Sequence, residues 1–174
     1  EIIYNSDIEK GTRMNIFYLD PDPRVCAEMH CDKHCVKMIL ETAQLLCTAQ
    51  RILDGDEAAD KAGLYKTAFQ HHPCSVWVRE CADNYLYSFY LLVSLCEQFE
   101  VRYKKTHSTE KLLEPLRKLP LYISLDKSFT EPPQCMPDQY KGDDTVKAYH
   151  DYYINEKLGF AKWNYTEAPT WAYV

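Results

Sequence analysis

The stretch SVWVRECADNYLYSFYLLVSLCEQFEVR, Ser75 to Arg102, decides the fold. Val76, Trp77, Val78, Cys81, Tyr85, Phe89, Leu91, Leu92, Leu95, Cys96 and Phe99 leave no wide polar face at helical spacing. A helix that is apolar almost all round must be buried by others. Its longest apolar run, Leu86 to Cys96, is 11 residues. A membrane span needs about 20. This helix is therefore expected at the centre of a water-soluble bundle.

Working outward, the segment before it reads as helix from Pro23 to about Leu53, with Asp22 as N-cap and Pro23 at the first helical position. Asp54-Gly55-Asp56 breaks that pattern, and a shorter helical piece runs to about Phe69. His71-His72-Pro73-Cys74-Ser75 reads as a loop and cap. After Arg102 come a basic loop to His107, a short helix capped near Ser108 and a proline-rich connection over 119–143. A last helix, capped by Asp143 or Asp144, is expected to reach about Trp163, with a tail from Tyr165 that folds back. Met14 to Leu19 reads as a start and a short strand, and residues 1–13 as a leader ahead of one domain over 14–174. The expected class is mainly α: a single compact domain of packed helices around a central buried helix, with little or no sheet.

Composition narrows the function. The 174 residues are 46% hydrophobic and 26% charged, with a net charge of −6, which suits one folded domain rather than a disordered chain. An acidic balance excludes a protein that coats nucleic acid with its whole surface, although a local basic groove is compatible with it. The eight cysteines fall mostly within helical patterns, and nothing at the start reads as a signal peptide. Reduced, structural thiols and a cytoplasmic location are expected.

The densest chemistry lies in Met29 to Gln44. At about 100° per residue, His30, His34, Lys37, Glu41 and Gln44 fall within roughly 40° of one line, with Lys33 just beyond. The rest of the circumference is apolar. Such a row is either a solvated face with an ordinary Glu-Lys pair or the wall of a site. As a wall it offers an amine and a carboxylate: Lys33 and Lys37 repel each other's charge, which favours a neutral amine, and Glu41 can move its proton or stabilise a cation. Zinc would compete for His30 and His34, for Cys31 and Cys35, or for His71, His72 and Cys74. The histidine and cysteine pairs point about 100° apart, and no paired CxxC is present, so no metal and no cofactor are expected. His72 reads as a cap or a site residue, and Arg79, Asp83 and Asn84 as buried partners or pocket groups. The loop Arg102 to His107 offers Lys104, Lys105 and His107 for phosphate, with Tyr103 for stacking, or is simply a solvated helix end. No phosphate-cradling glycine loop, serine elbow or dinucleotide fingerprint occurs.

Cys31-Asp32-Lys33-His34, with Glu41 seven residues after His34, resembles the endonuclease V family of pyrimidine-dimer DNA glycosylases. His72 before a long aromatic helix and Pro169-Thr170-Trp171 extend the likeness. The chain is also similar to an uncharacterised family of bacteriophage proteins through CDKH-x-VKM, Lys105-Thr106-His107, Met136 to Lys141, and Tyr152-Tyr153 through Trp163. The first resemblance implies a helical DNA glycosylase that flips a nucleotide from the stack, with Glu41 supporting cleavage of the glycosidic bond. That family attacks the sugar with the α-amine of a mature N-terminal Thr, whereas Asn15 follows Met14 here. Lys37 or Lys33 is the replacement amine. The expected site is Glu41, Lys37 and His34 for catalysis, with Lys33, His30, Gln44, His72, Arg79, Lys104, Lys105 and His107 binding the substrate. The expected partner is DNA or a nucleotide, with no membrane, in a host-cell cytoplasm if the gene belongs to a phage. The other reading is a phage module that keeps the helical pocket and binds a nucleotide or a protein without turnover.

Overall fold

The computed structural model describes residues 14–173. The leader expected over 1–13 lies outside the described residues. Among the described residues seven α-helices follow in order: α1 (Pro23–Met29), α2 (Asp32–Asp54), α3 (Asp56–Lys61), α4 (Pro73–Glu80), α5 (Ala82–Tyr103), α6 (Leu113–Arg117) and α7 (Thr145–Tyr152). There is no β-strand among the described residues. The long helices α2 and α5 pack along each other, α1 packs on α5, and α4 packs on both. Tyr85, Phe89, Leu91, Leu92 and Leu95 of α5 are all essentially inaccessible, so the central buried helix is in place.

Two expected long helices are each broken in two. The first breaks at His30 and Cys31, which are extended. Tyr153 hydroxyl receives the freed Cys31 N–H at 3.1 Å, and Asp32 N–H donates to the carbonyl of Lys162 at 2.8 Å. The second breaks at Cys81, also extended. There the Asn84 amide donates to the Trp77 carbonyl at 3.0 Å, while Ala82 N–H reaches the Ser124 carbonyl at 2.8 Å. Backbone groups that leave a helix must find other partners when buried, and distant segments supply them here. Spacing within a helix carries no trace of such partners.

Met14 to Leu19 is buried but is not a strand. Side chains rather than a neighbouring strand satisfy it: Cys26 Sγ donates to the Phe17 carbonyl at 3.0 Å, and His150 Nε2 meets the Leu19 carbonyl at 2.7 Å. Of the expected caps, Asp22 and Asp144 accept helix N–H groups as drawn, whereas His107, not Ser108, caps the short 3-10 turn that precedes α6. The helical piece expected to reach Phe69 ends at Lys61. The connection over 119–143 holds only one 3-10 turn, Asp138–Tyr140. After Tyr152 the last helix widens into a π-helix, Tyr153–Lys157, and stops well short of Trp163. The tail does fold back, with Trp171 stacked on His150 at 4.2 Å.

All eight cysteines are free thiols. Burial pushes Cys26, Cys35 and Cys47 up to about 11 and Cys96 to about 12, so these four are protonated, apolar filling. No helix among the described residues is long and apolar enough to cross a membrane.

Candidate active site

Helix α2 carries the charged row, but the break at Cys31 takes its first member away. His30 is completely buried, and its Nδ1–H donates to the Cys26 carbonyl at 2.7 Å. Its Nε2 has no hydrogen-bond partner among the described residues, and burial pushes the ring down to about 4. The expected placement of His30 on the α2 row is thus corrected: it is a neutral core residue at the α1–α2 corner.

His34 is also inside. Its ring stacks on Phe17 at 4.5 Å between centroids, and its Nδ1 lies 2.8 Å from the Tyr153 hydroxyl. That hydroxyl also accepts from Cys31 N–H. Burial, followed by the positive fields of His30, Lys157, Lys37 and Lys33, holds His34 well below its usual range. A neutral, fixed imidazole positions its neighbours well and makes a poor proton donor.

Lys33 and Lys37 are the exposed part of the row, and Glu41 lies half-buried beside them. Lys33 Nζ sits 4.8 Å from the Phe160 ring centre. Lys37 Nζ stands 3.9 Å from Glu41 Oε1, and the Glu41 side chain is only 13% exposed against 43% for Lys37. Burial raises the Glu41 carboxyl above its ordinary value; the Lys37 ammonium and a backbone hydrogen bond from Met14 pull it back. A shielded carboxyl of this kind, near an amine and a backbone N–H, holds its proton more readily than an exposed one and can pass it to a neighbouring group. Gln44, half-buried, follows it on the same face.

Sequence reasoning missed Lys157. The π-helix brings it against the same face, with Nζ 4.9 Å from the Tyr152 ring and 6.0 Å from both Phe17 and Phe160. Burial depresses its ammonium first, and Lys37 and Lys33 depress it further. The available signal was a lysine at the end of the Tyr152-Tyr153 segment. A π-turn, which tends to mark functional sites, is not readable in that spacing.

The remaining candidates divide. His72 is buried and its Nδ1 accepts from Cys74 N–H at 3.0 Å, so it caps α4. Burial pushes it down to about 4. Arg79 is half-buried and ties Ser75 Oγ at 3.0 Å to the Gln70 carbonyl at 2.8 Å, which fixes the loop before α4. Asn84 bridges the α4–α5 break as a buried partner. Arg102 is no part of a basic loop: it is buried on Asp32 at 3.1 Å. Lys104 and Lys105 remain exposed beyond it. His107 caps the following turn, with its Nδ1 accepting from Thr109 N–H at 3.1 Å. The Arg102–Asp32 pair fastens this loop to the end of α2 that carries Lys33.

The fold is thus a helical bundle built on α2 and α5, with a half-buried carboxylate and a lysine paired on α2. The family model of the pyrimidine dimer DNA glycosylases matches residues 14–111, more than half of the chain, and the protein belongs to that family. The match includes Met14, Lys37 and Glu41 and ends before Lys157. No curated protein and no solved structure matches the chain.

Proposed function

We propose that the protein removes damaged pyrimidines from DNA at a centre made of Glu41 and Lys37. The observation that carries this reading is the 3.9 Å approach of the Lys37 amine to the shielded Glu41 carboxyl, inside the segment that the family model covers. In this mechanism the Lys37 ammonium first gives one proton to solvent, and the amine so formed attacks C1′ of the flipped nucleotide. The glycosidic bond breaks, and the base leaves with its electron pair and takes up a proton from solvent. Glu41 accepts the proton that the amine gives up and returns it to the ring oxygen as the sugar opens to an imine. Lys33 stands one turn before Lys37 on α2, and Lys104, Lys105 and His107 just after α5 grip phosphate. Local positive groups of this kind reconcile DNA binding with the net charge of −6.

One observation favours a second nucleophile. The Met14 backbone nitrogen reaches the same carboxyl. It is an amide in the 174-residue chain and would be a primary α-amine in a chain that starts at Met14. A covalent adduct that forms with that shorter chain and survives Lys37→Ala would assign the attack to the α-amine.

The reading is tested by incubating the 174-residue protein with ultraviolet-irradiated and unirradiated duplex DNA and measuring base release and strand incision. Product on irradiated DNA alone is expected. Tight binding to irradiated DNA without product would overturn it and favour a binding module.

A further inference from the structure

The start of α4 holds a cluster that the reaction above does not use. His72, Cys74 and Cys135 place one ligand atom each within 4.8 Å of one another. The two sulfurs are 3.8 Å apart. A disulfide would require about 2.05 Å, so these are separate thiols. Two thiolates on one tetrahedral zinc, each about 2.3 Å from the ion, stand about 3.8 Å from each other. That is also a spacing at which two thiols pack, so the third ligand and the supporting contacts decide between the readings.

The supporting contacts favour a built site. Cys135 lies in the irregular connection between α6 and α7, yet both of its backbone groups are held. Its N–H donates to the Tyr149 hydroxyl at 3.2 Å, and its carbonyl accepts from Asn15 Nδ2 at 2.9 Å. The Tyr149 hydroxyl in turn donates to Asn15 Oδ1, 2.8 Å away. On the other side, Pro73 restricts the backbone that links His72 to Cys74. Ligands held by such an outer ring of hydrogen bonds are pre-positioned for an ion. Cys135 is half-buried whereas His72 and Cys74 are buried, which leaves an entry beside one sulfur.

We infer that His72, Cys74 and Cys135 form a zinc site that staples the start of α4 to the connection before α7. The sequence offered only His71, His72 and Cys74 for it, because the second sulfur comes from 61 residues downstream. The imidazole lone pair at Nδ1 turns from the Cys74 amide to the ion, both thiols lose their protons to solvent on binding, and the fourth position takes water. This inference does not depend on the glycosylase reading, and its readout is not activity.

The 174-residue protein, kept reduced with a phosphine, is titrated with cobalt(II) and then zinc(II). One equivalent of cobalt is expected to give thiolate-to-cobalt absorption in the near ultraviolet and tetrahedral bands in the visible, both displaced by one equivalent of zinc. Cys74→Ser and Cys135→Ser should each remove these bands. Cys47→Ser, a buried thiol of α2 outside the cluster, should keep them. Absence of the thiolate band in the folded wild type, or its persistence in the Cys74→Ser/Cys135→Ser double variant, would overturn the site.

Discussion

Glu41→Gln lowers base release from irradiated DNA by about 10²–10⁴-fold under single-turnover conditions, the usual worth of a positioned acid-base group. The amide keeps the volume of the side chain, and its oxygen can still accept the Met14 N–H that meets the carboxyl. What disappears is the transferable proton and the negative charge beside Lys37, 3.9 Å away. Binding to irradiated DNA, read by gel shift, should stay within a fewfold of wild type. A binding loss as large as the rate loss would place Glu41 in the grip on DNA rather than in the chemistry.

Arg102→Ala destabilises the protein by about 3–5 kcal/mol, the cost of breaking a buried ion pair. The guanidinium is inaccessible and donates to Asp32 Oδ1 at 3.1 Å, the His30 carbonyl at 2.7 Å and the Glu28 carbonyl at 3.1 Å. It closes the end of α1 and the start of α2 onto the end of α5. Removing it leaves a buried carboxylate that keeps the Asn164 N–H at 2.8 Å but loses its counter-charge. Urea unfolding checks this, with Lys61→Ala as the contrast. Lys61 pairs with Glu57 at 3.3 Å on the surface, where such a pair contributes about 0–1 kcal/mol. A loss below about 1 kcal/mol in Arg102→Ala would mean that the pair does not hold the three helices.

The central helix was legible because its buried residues, Tyr85, Phe89, Leu91, Leu92 and Leu95, leave a compositional mark. Its solvent edge was not, since Tyr90 and Val101 on it are apolar and yet 51% and 54% exposed. The caps at Asp22 and Asp144 were legible because a side chain and an N–H two or three residues away make them locally. The two helix breaks were not, since Tyr153, Lys162 and Ser124 lie far along the chain from the backbone groups that they satisfy. For the same reason one expected stripe divides into a buried pair, His30 and His34, two exposed lysines, Lys33 and Lys37, and a half-buried Glu41. Arg102 looked like a surface cation because its partner, Asp32, stands 70 residues away. Lys157 and Cys135 went unassigned because each becomes chemical only through residues that the fold brings to it.

Borohydride reduction during reaction of the 174-residue chain with irradiated DNA tests the central claim, that an amine on α2 attacks the sugar under the control of Glu41. The expected result is a covalent protein–DNA adduct that maps to Lys37 and is lost in Lys37→Ala. Base release by a wild type that leaves no adduct, or an adduct undiminished in Lys37→Ala, would contradict it.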